Sequence, residues 1–109
     1  MHPGATIGDG TRVYDDTHVA TASCIGRDCF IGVNVSMTSD NALGRLPYDP
    51  DRVRGATLGD RVIVASGAMI LPHLVIGDDA IVGAGALVTR DVSAATTVRG
   101  QPARTTREA

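Results

Sequence analysis

Aromatic residues are nearly absent: the 109 residues hold no Trp, one Phe and two Tyr, although 43% are apolar and thirteen are Gly. A chain of this length has one core, and this core has to be built from small aliphatic side chains rather than large aromatic ones. Lysine is missing altogether. Ten Arg against twelve acidic residues leave a formal charge of −2, which argues against a nucleic-acid or anionic-membrane binder working through bulk positive charge. No apolar run approaches the ~18 to 20 residues of a membrane span, and Met1-His2-Pro3 lacks the basic start and apolar stretch of a signal peptide, so a cytoplasmic protein is expected. Cys24 and Cys29 fit neither a CxxC pair nor a metal knuckle, and no metal site is expected.

What is present is a period of six. Stepping by six from Ile7 gives Val13, Val19, Ile25, Ile31 and Met37; restarting at Leu58 gives Val64, Ile70, Ile76, Val82 and Val88. The next residue is Gly at 8, 26, 32, 59, 77 and 83, and the fifth member of each hexad is small or aliphatic, from Thr11, Thr17 and Ser23 to Ala80, Ala86 and Val92. A helix needs apolar spacings of three and four, and a plain strand alternates without recurrent Gly. A six-residue unit suits a short strand and a tight corner, with the aliphatic residue inward and the second-place Gly or Ala permitting the turn. Three units close a triangular coil of eighteen residues, so twelve hexads make four coils, a prism roughly 19 Å tall. Its narrow interior accounts for the missing aromatics.

The period breaks once, between Met37 and Leu58, where an Asp-, Arg- and Pro-rich segment reads as a loop over 38–57 thrown out from the prism. Long loops without structure of their own are usually functional or disordered, and a functional one is expected here because the prism itself offers few concave surfaces. The hexads end at Val92, and the tail 93–109 is expected to cap the last coil, whose strand edges would otherwise invite aggregation. The whole chain, 1–109, thus reads as one domain.

These hexads, the run Gly83-Ala84-Gly85-Ala86-Leu87-Val88-Thr89-Arg90-Asp91 and the tail Gly100-Gln101-Pro102-Ala103-Arg104 resemble the hexapeptide-repeat acyltransferases. The resemblance implies an all-β fold, a left-handed parallel β-helix of about four triangular coils, assembled as a homotrimer and transferring an acetyl group from acetyl-CoA to a small-molecule acceptor. Galactoside-type O-acetyltransferases and nucleotide-amino-sugar N-acetyltransferases share these motifs. Matched motif to motif, the family's CoA contacts fall on Ser66, Ala84, Thr89, Arg90, Arg104 and Arg107. The spacing agrees in part: Ser66 and Ala84 are both third in their hexads and eighteen apart, so they stack on one face. A row of small side chains and backbone amides suits an extended pantetheine arm, and guanidinium suits its phosphates.

Acetyl transfer needs a nucleophile, a proton acceptor and donors for the oxyanion. His73 reads as an outward surface residue. His18, sixth in its hexad, matches the second histidine of a segment found in the amino-sugar enzymes, whereas Asp15 replaces the first. The galactoside-type enzymes carry their base histidine early in the loop, where this chain has Thr38-Ser39-Asp40-Asn41-Ala42. Without that base an amine acceptor is favoured. Asp40 or Asn41 would orient it, beside the alternative that they only start a turn. The expected function is N-acetylation of an amino sugar or nucleotide-linked amino sugar, with sugar O-acetylation or a non-catalytic scaffold as alternatives. A zinc site of the γ-carbonic anhydrase kind would need three histidines, two of them close together, and the repeats hold only His18 and His73.

Overall fold

The computed structural model describes residues 4–42, 44–49 and 51–106. Its strands are β1 Thr6–Ile7, β2 Arg12–Val13, β3 Cys24–Ile25, β4 Phe30–Ile31, β5 Ser36–Met37, β6 Thr57–Leu58, β7 Ile63–Val64, β8 Met69–Ile70, β9 Val75–Ile76, β10 Ile81–Val82, β11 Leu87–Val88, β12 Thr97–Arg99 and β13 Arg104–Thr105. They form three walls of a left-handed parallel β-helix. Face A stacks β1, β3, β6 and β9; face B stacks β2, β4, β7, β10 and β12; face C stacks β5, β8 and β11, with His18 bridged to Ser36 below β5.

The register is that of the hexads. Ile7 pairs with Ile25, Leu58 and Ile76 in turn, Val13 with Ile31, Val64 and Val82, and Met37 with Ile70 and Val88. From the second coil upward these inward residues are buried, together with Cys29, Val35, Val62, Ala68, Ala80 and Ala86 of the fifth places. The core is therefore an axial column of aliphatic side chains. Ile7 and Val13 are 37% and 38% exposed, because among the described residues no coil lies beneath them.

Two expectations are corrected. The left-handed turn falls on the fourth residue of the hexad, not the second: Asp16, Asp28, Asn34, His73 and Asp79 all have φ between 56° and 66°. Second-place glycines serve close approach instead. A Cβ on Gly26 would lie 2.4 Å from the Gly59 carbonyl oxygen, and one on Gly8 would lie 2.6 Å from that of Gly26. The repeat also continues past Val88. Only three residues separate Val88 from Val92, where a hexad has five, yet Val92 bridges Ile76 and begins a fifth, partial coil, which Val98 continues by pairing with Val82. The tail then folds back as β13, antiparallel to β12, and covers that edge.

Candidate active site

Face C has two edges, and the candidate residues divide between them. The edge shared with face B carries the third-place column Asp15, Val33, Ser66 and Ala84. Gly67 donates its amide to the Val33 carbonyl and Gly85 to that of Ser66, so the coils there are continuously bonded. Ser66 and Ala84 are exposed, one coil apart. Beside them the second-place column is Gly32, Ala65 and Gly83, a strip almost without side chains that ends at Tyr14 in the first coil. Arg99 ends it at the top: a Cβ on Gly83 would come within 3.0 Å of the Arg99 Cβ. Arg99 lies opposite Arg104 in the antiparallel β12–β13 pair, both exposed. Two like charges facing each other across a ladder are destabilising unless an anion offsets them, and neither makes an ion pair with a carboxylate among the described residues. Gln101 spans the same edge, donating from Nε2 to the Gly85 carbonyl at 2.9 Å.

His18 stands at the foot of this edge. Its backbone is laddered to the second coil through Val35 and Met37. Its ring Nδ1 lies 3.0 Å from the Met37 carbonyl oxygen. A carbonyl can only accept, so Nδ1 carries the proton, and in the neutral ring the basic lone pair is on Nε2.

The other edge, shared with face A, carries the loop, Thr89 and Arg90. Asp40 accepts from the amides of Ala42 (2.8 Å) and Gly44 (2.9 Å) and pairs with Arg52 at 2.7 Å. The Gly44 amide leads these in holding its carboxyl below the usual carboxylate range. With both oxygens engaged, Asp40 organises the loop, as the turn alternative expected, rather than offering a basic oxygen. Asn41 is exposed beside it. Asp40 lies four residues beyond Ser36, the strand partner of His18, on the far edge of the face. One chain therefore does not gather His18, Asp40 and Asn41 into a single constellation. Thr89, Arg90 and Arg104 do converge, with Pro102 and Ala103, on a cavity of about 250 Å³ at the top of the prism. Arg107 lies outside the described residues.

Arg99 is the residue that sequence reasoning missed. Counting hexads to Val98 instead of stopping at Val92 places an arginine in the second position, where the three coils below have Gly83, Ala65 and Gly32 and the first coil has Tyr14. The four-residue step hid it.

Residues 55–90 match the family described as bacterial transferase hexapeptide (six repeats), and residues 24–39 match the hexapeptide repeat of succinyl-transferase. The chain is 36% identical over 104 residues to the serine acetyltransferase of Bacillus subtilis, covering 95% of this chain and 46% of that protein. It superposes on soybean serine acetyltransferase complexed with serine at a TM-score of 0.81, with 34% identity, over 97% of this chain and 42% of that one. On a galactoside acetyltransferase in complex with coenzyme A the TM-score is 0.70, with 25% identity, over 96% and 55%. The chain thus spans about half the length of these relatives or less. They acetylate serine or galactosides by name, so the expected amino-sugar acceptor gains no support from them.

Proposed function

We propose, from the premise that this chain belongs to the hexapeptide-repeat transferase family, that it transfers an acetyl group from acetyl-CoA to the hydroxyl of a small acceptor, with L-serine the first candidate. The single observation that carries the reading is the track on the B–C edge. A strip of Gly32, Ala65 and Gly83 beside Ser66 and Ala84 runs down from the Arg99–Arg104 pair toward His18. Four coil spacings separate Arg99 from His18, about 19 Å. A pantetheine arm of some thirteen bonds, at the pitch of an extended chain, is ~16 Å long. Phosphates held at the arginines therefore place the thioester one coil above His18.

The chemistry follows from that placement. His18 Nε2 takes the acceptor's hydroxyl proton as the oxygen attacks the thioester carbonyl carbon. The tetrahedral oxyanion collapses with cleavage of the C–S bond, and the proton passes to the departing thiolate. Holding Nδ1–H on the Met37 carbonyl orients the base, and a positioned base of this kind contributes roughly 10²- to 10⁴-fold. A base at this position removes the reason for preferring an amine acceptor.

Thr89, Arg90 and the loop lie on the opposite edge of face C. A homotrimer in which the B–C edge of one copy meets the C–A edge of the next would complete the site with Asn41, Thr89 and Arg90 from the neighbour. The test is direct: the purified chain is incubated with acetyl-CoA and, separately, L-serine, a galactoside and an amino sugar, and acetylated product is followed by mass spectrometry. O-acetylserine is expected. Absence of product with every acceptor, together with no thermal shift at millimolar CoA, would overturn the reading.

A further inference from the structure

The loop is held by contacts that the transfer chemistry does not use, and they are of two kinds. One closes the loop on itself: Arg52, near its end, donates to Asp40 near its start and to the Pro47 carbonyl. The other closes it on the prism. The carbonyl of Arg52 accepts from Nε2–H of His73, which belongs to the third coil. His73 is the fourth residue of its hexad, at φ 66°, so the left-handed turn aims it out of the C–A edge. It stands in the column of Ala22, one coil above the point where the loop leaves. The expectation of an outward surface residue holds for its exposure; the imidazole is nonetheless engaged.

We infer that His73 is the pin that fixes the loop against the prism, a positioning residue that sets where the loop meets the acceptor. The second part of this rests on the proposed acetyl transfer; the first does not. Without the His73 bond, the Asp40–Arg52 pair still ties the loop to itself but leaves its orientation to its two ends, where Thr38 donates to the Ile70 carbonyl and Gly55 to the Thr21 carbonyl. Leu46 and Tyr48 at the tip are 55% and 69% exposed and so bury little that could replace it. The contact is to a backbone carbonyl, so it does not itself involve the Arg52 side chain.

The test uses two variants. His73→Gly relieves the left-handed turn, and His73→Asn keeps a residue that tolerates it but is too short to reach the carbonyl; both preserve the coil and remove the bond. The chain has no lysine, so trypsin cleaves only after arginine, and Arg45 is exposed in the loop. Native-state nicking at Arg45–Leu46 is expected to rise on the order of tenfold in both variants, the change in open population that one ordinary hydrogen bond controls. Melting temperature and CoA affinity stay near wild type, while acceptor KM rises severalfold at nearly unchanged kcat. Wild-type nicking rates in both variants would overturn the pin. Faster nicking with an unmoved KM would overturn the positioning role alone.

Discussion

Ser23 holds the same fifth place in its hexad as Thr11 and Thr17, but not the same bonds. The Thr11 hydroxyl donates to the Gly26 carbonyl (2.7 Å) and accepts from the Cys29 amide (3.0 Å); Thr17 does the same with Gly32 (2.6 Å) and Val35 (3.2 Å). Both thus staple the first coil to the second. The corresponding rung above Ser23 is missing because the chain leaves the prism as the loop, and its fully buried hydroxyl has no hydrogen-bond partner among the described residues. Ser23→Ala is therefore expected to stabilise the protein by about 1 kcal/mol in chemical denaturation, and Thr17→Val to destabilise it by a similar amount. The two classes of glycine separate in the same way. Gly26→Ala forces a Cβ onto a neighbouring backbone oxygen, and about 3 kcal/mol of destabilisation is expected. Gly67→Ala meets nothing closer than 3.9 Å and carries only the cost of its φ of 75°, roughly 1 kcal/mol.

At the scale of the element, the hexad was legible because each wall of the coil admits one inward side chain, so the period of the fold is the period of the sequence. The turn was not, since a small second residue looks the same whether it allows a left-handed φ or only a close approach. The fifth coil was hidden by a corner shortened to four residues, and with it the place of Arg99. Two site features are similarly unequal: the stacking of Ser66 on Ala84 follows from their spacing, whereas the engagement of Asp40 depends on a loop conformation with no period to reveal it. That engagement has a pH signature. The Gly44 and Ala42 amides and Arg52 depress the Asp40 pKa, so its contribution to loop order is present above the unfolded carboxylate value of ~3.9 and is lost as pH falls through the lower folded value. The protection of the Ala42 and Gly44 amides against exchange, taken relative to the intrinsic rate at each pH, should persist from neutrality to below pH ~4 and fall only beneath that, whereas in Asp40→Ala it should already be lost at neutral pH.

At the scale of the molecule, the question is why the residues suited to one reaction stand on opposite edges of one wall. His18, Ser66, Ala84 and Arg99 share the edge with face B, while Asn41, Thr89 and Arg90 share the edge with face A. Face C between them presents Ser36, Met69 and Leu87 outward, with Met69 42% exposed. A flat wall cannot fold its two edges together, so it is the proposed homotrimer that would complete the site, with a second copy. Closed cyclic symmetry supplies one, because it brings one edge of each subunit against the other edge of the next. The consequence can be measured by complementation. In the proposed homotrimer, His18→Ala and Arg90→Gln are each expected to disable every site of their own assembly. Mixed in equal amounts by co-expression, they form sites that draw His18 from one copy and Arg90 from its neighbour, and about a quarter of these contain both native residues. Roughly a quarter of wild-type acetyl transfer should then return. A site contained within one chain allows no such recovery, since every chain in the mixture carries one of the two defects, and activity at the level of the single variants would reject the shared site.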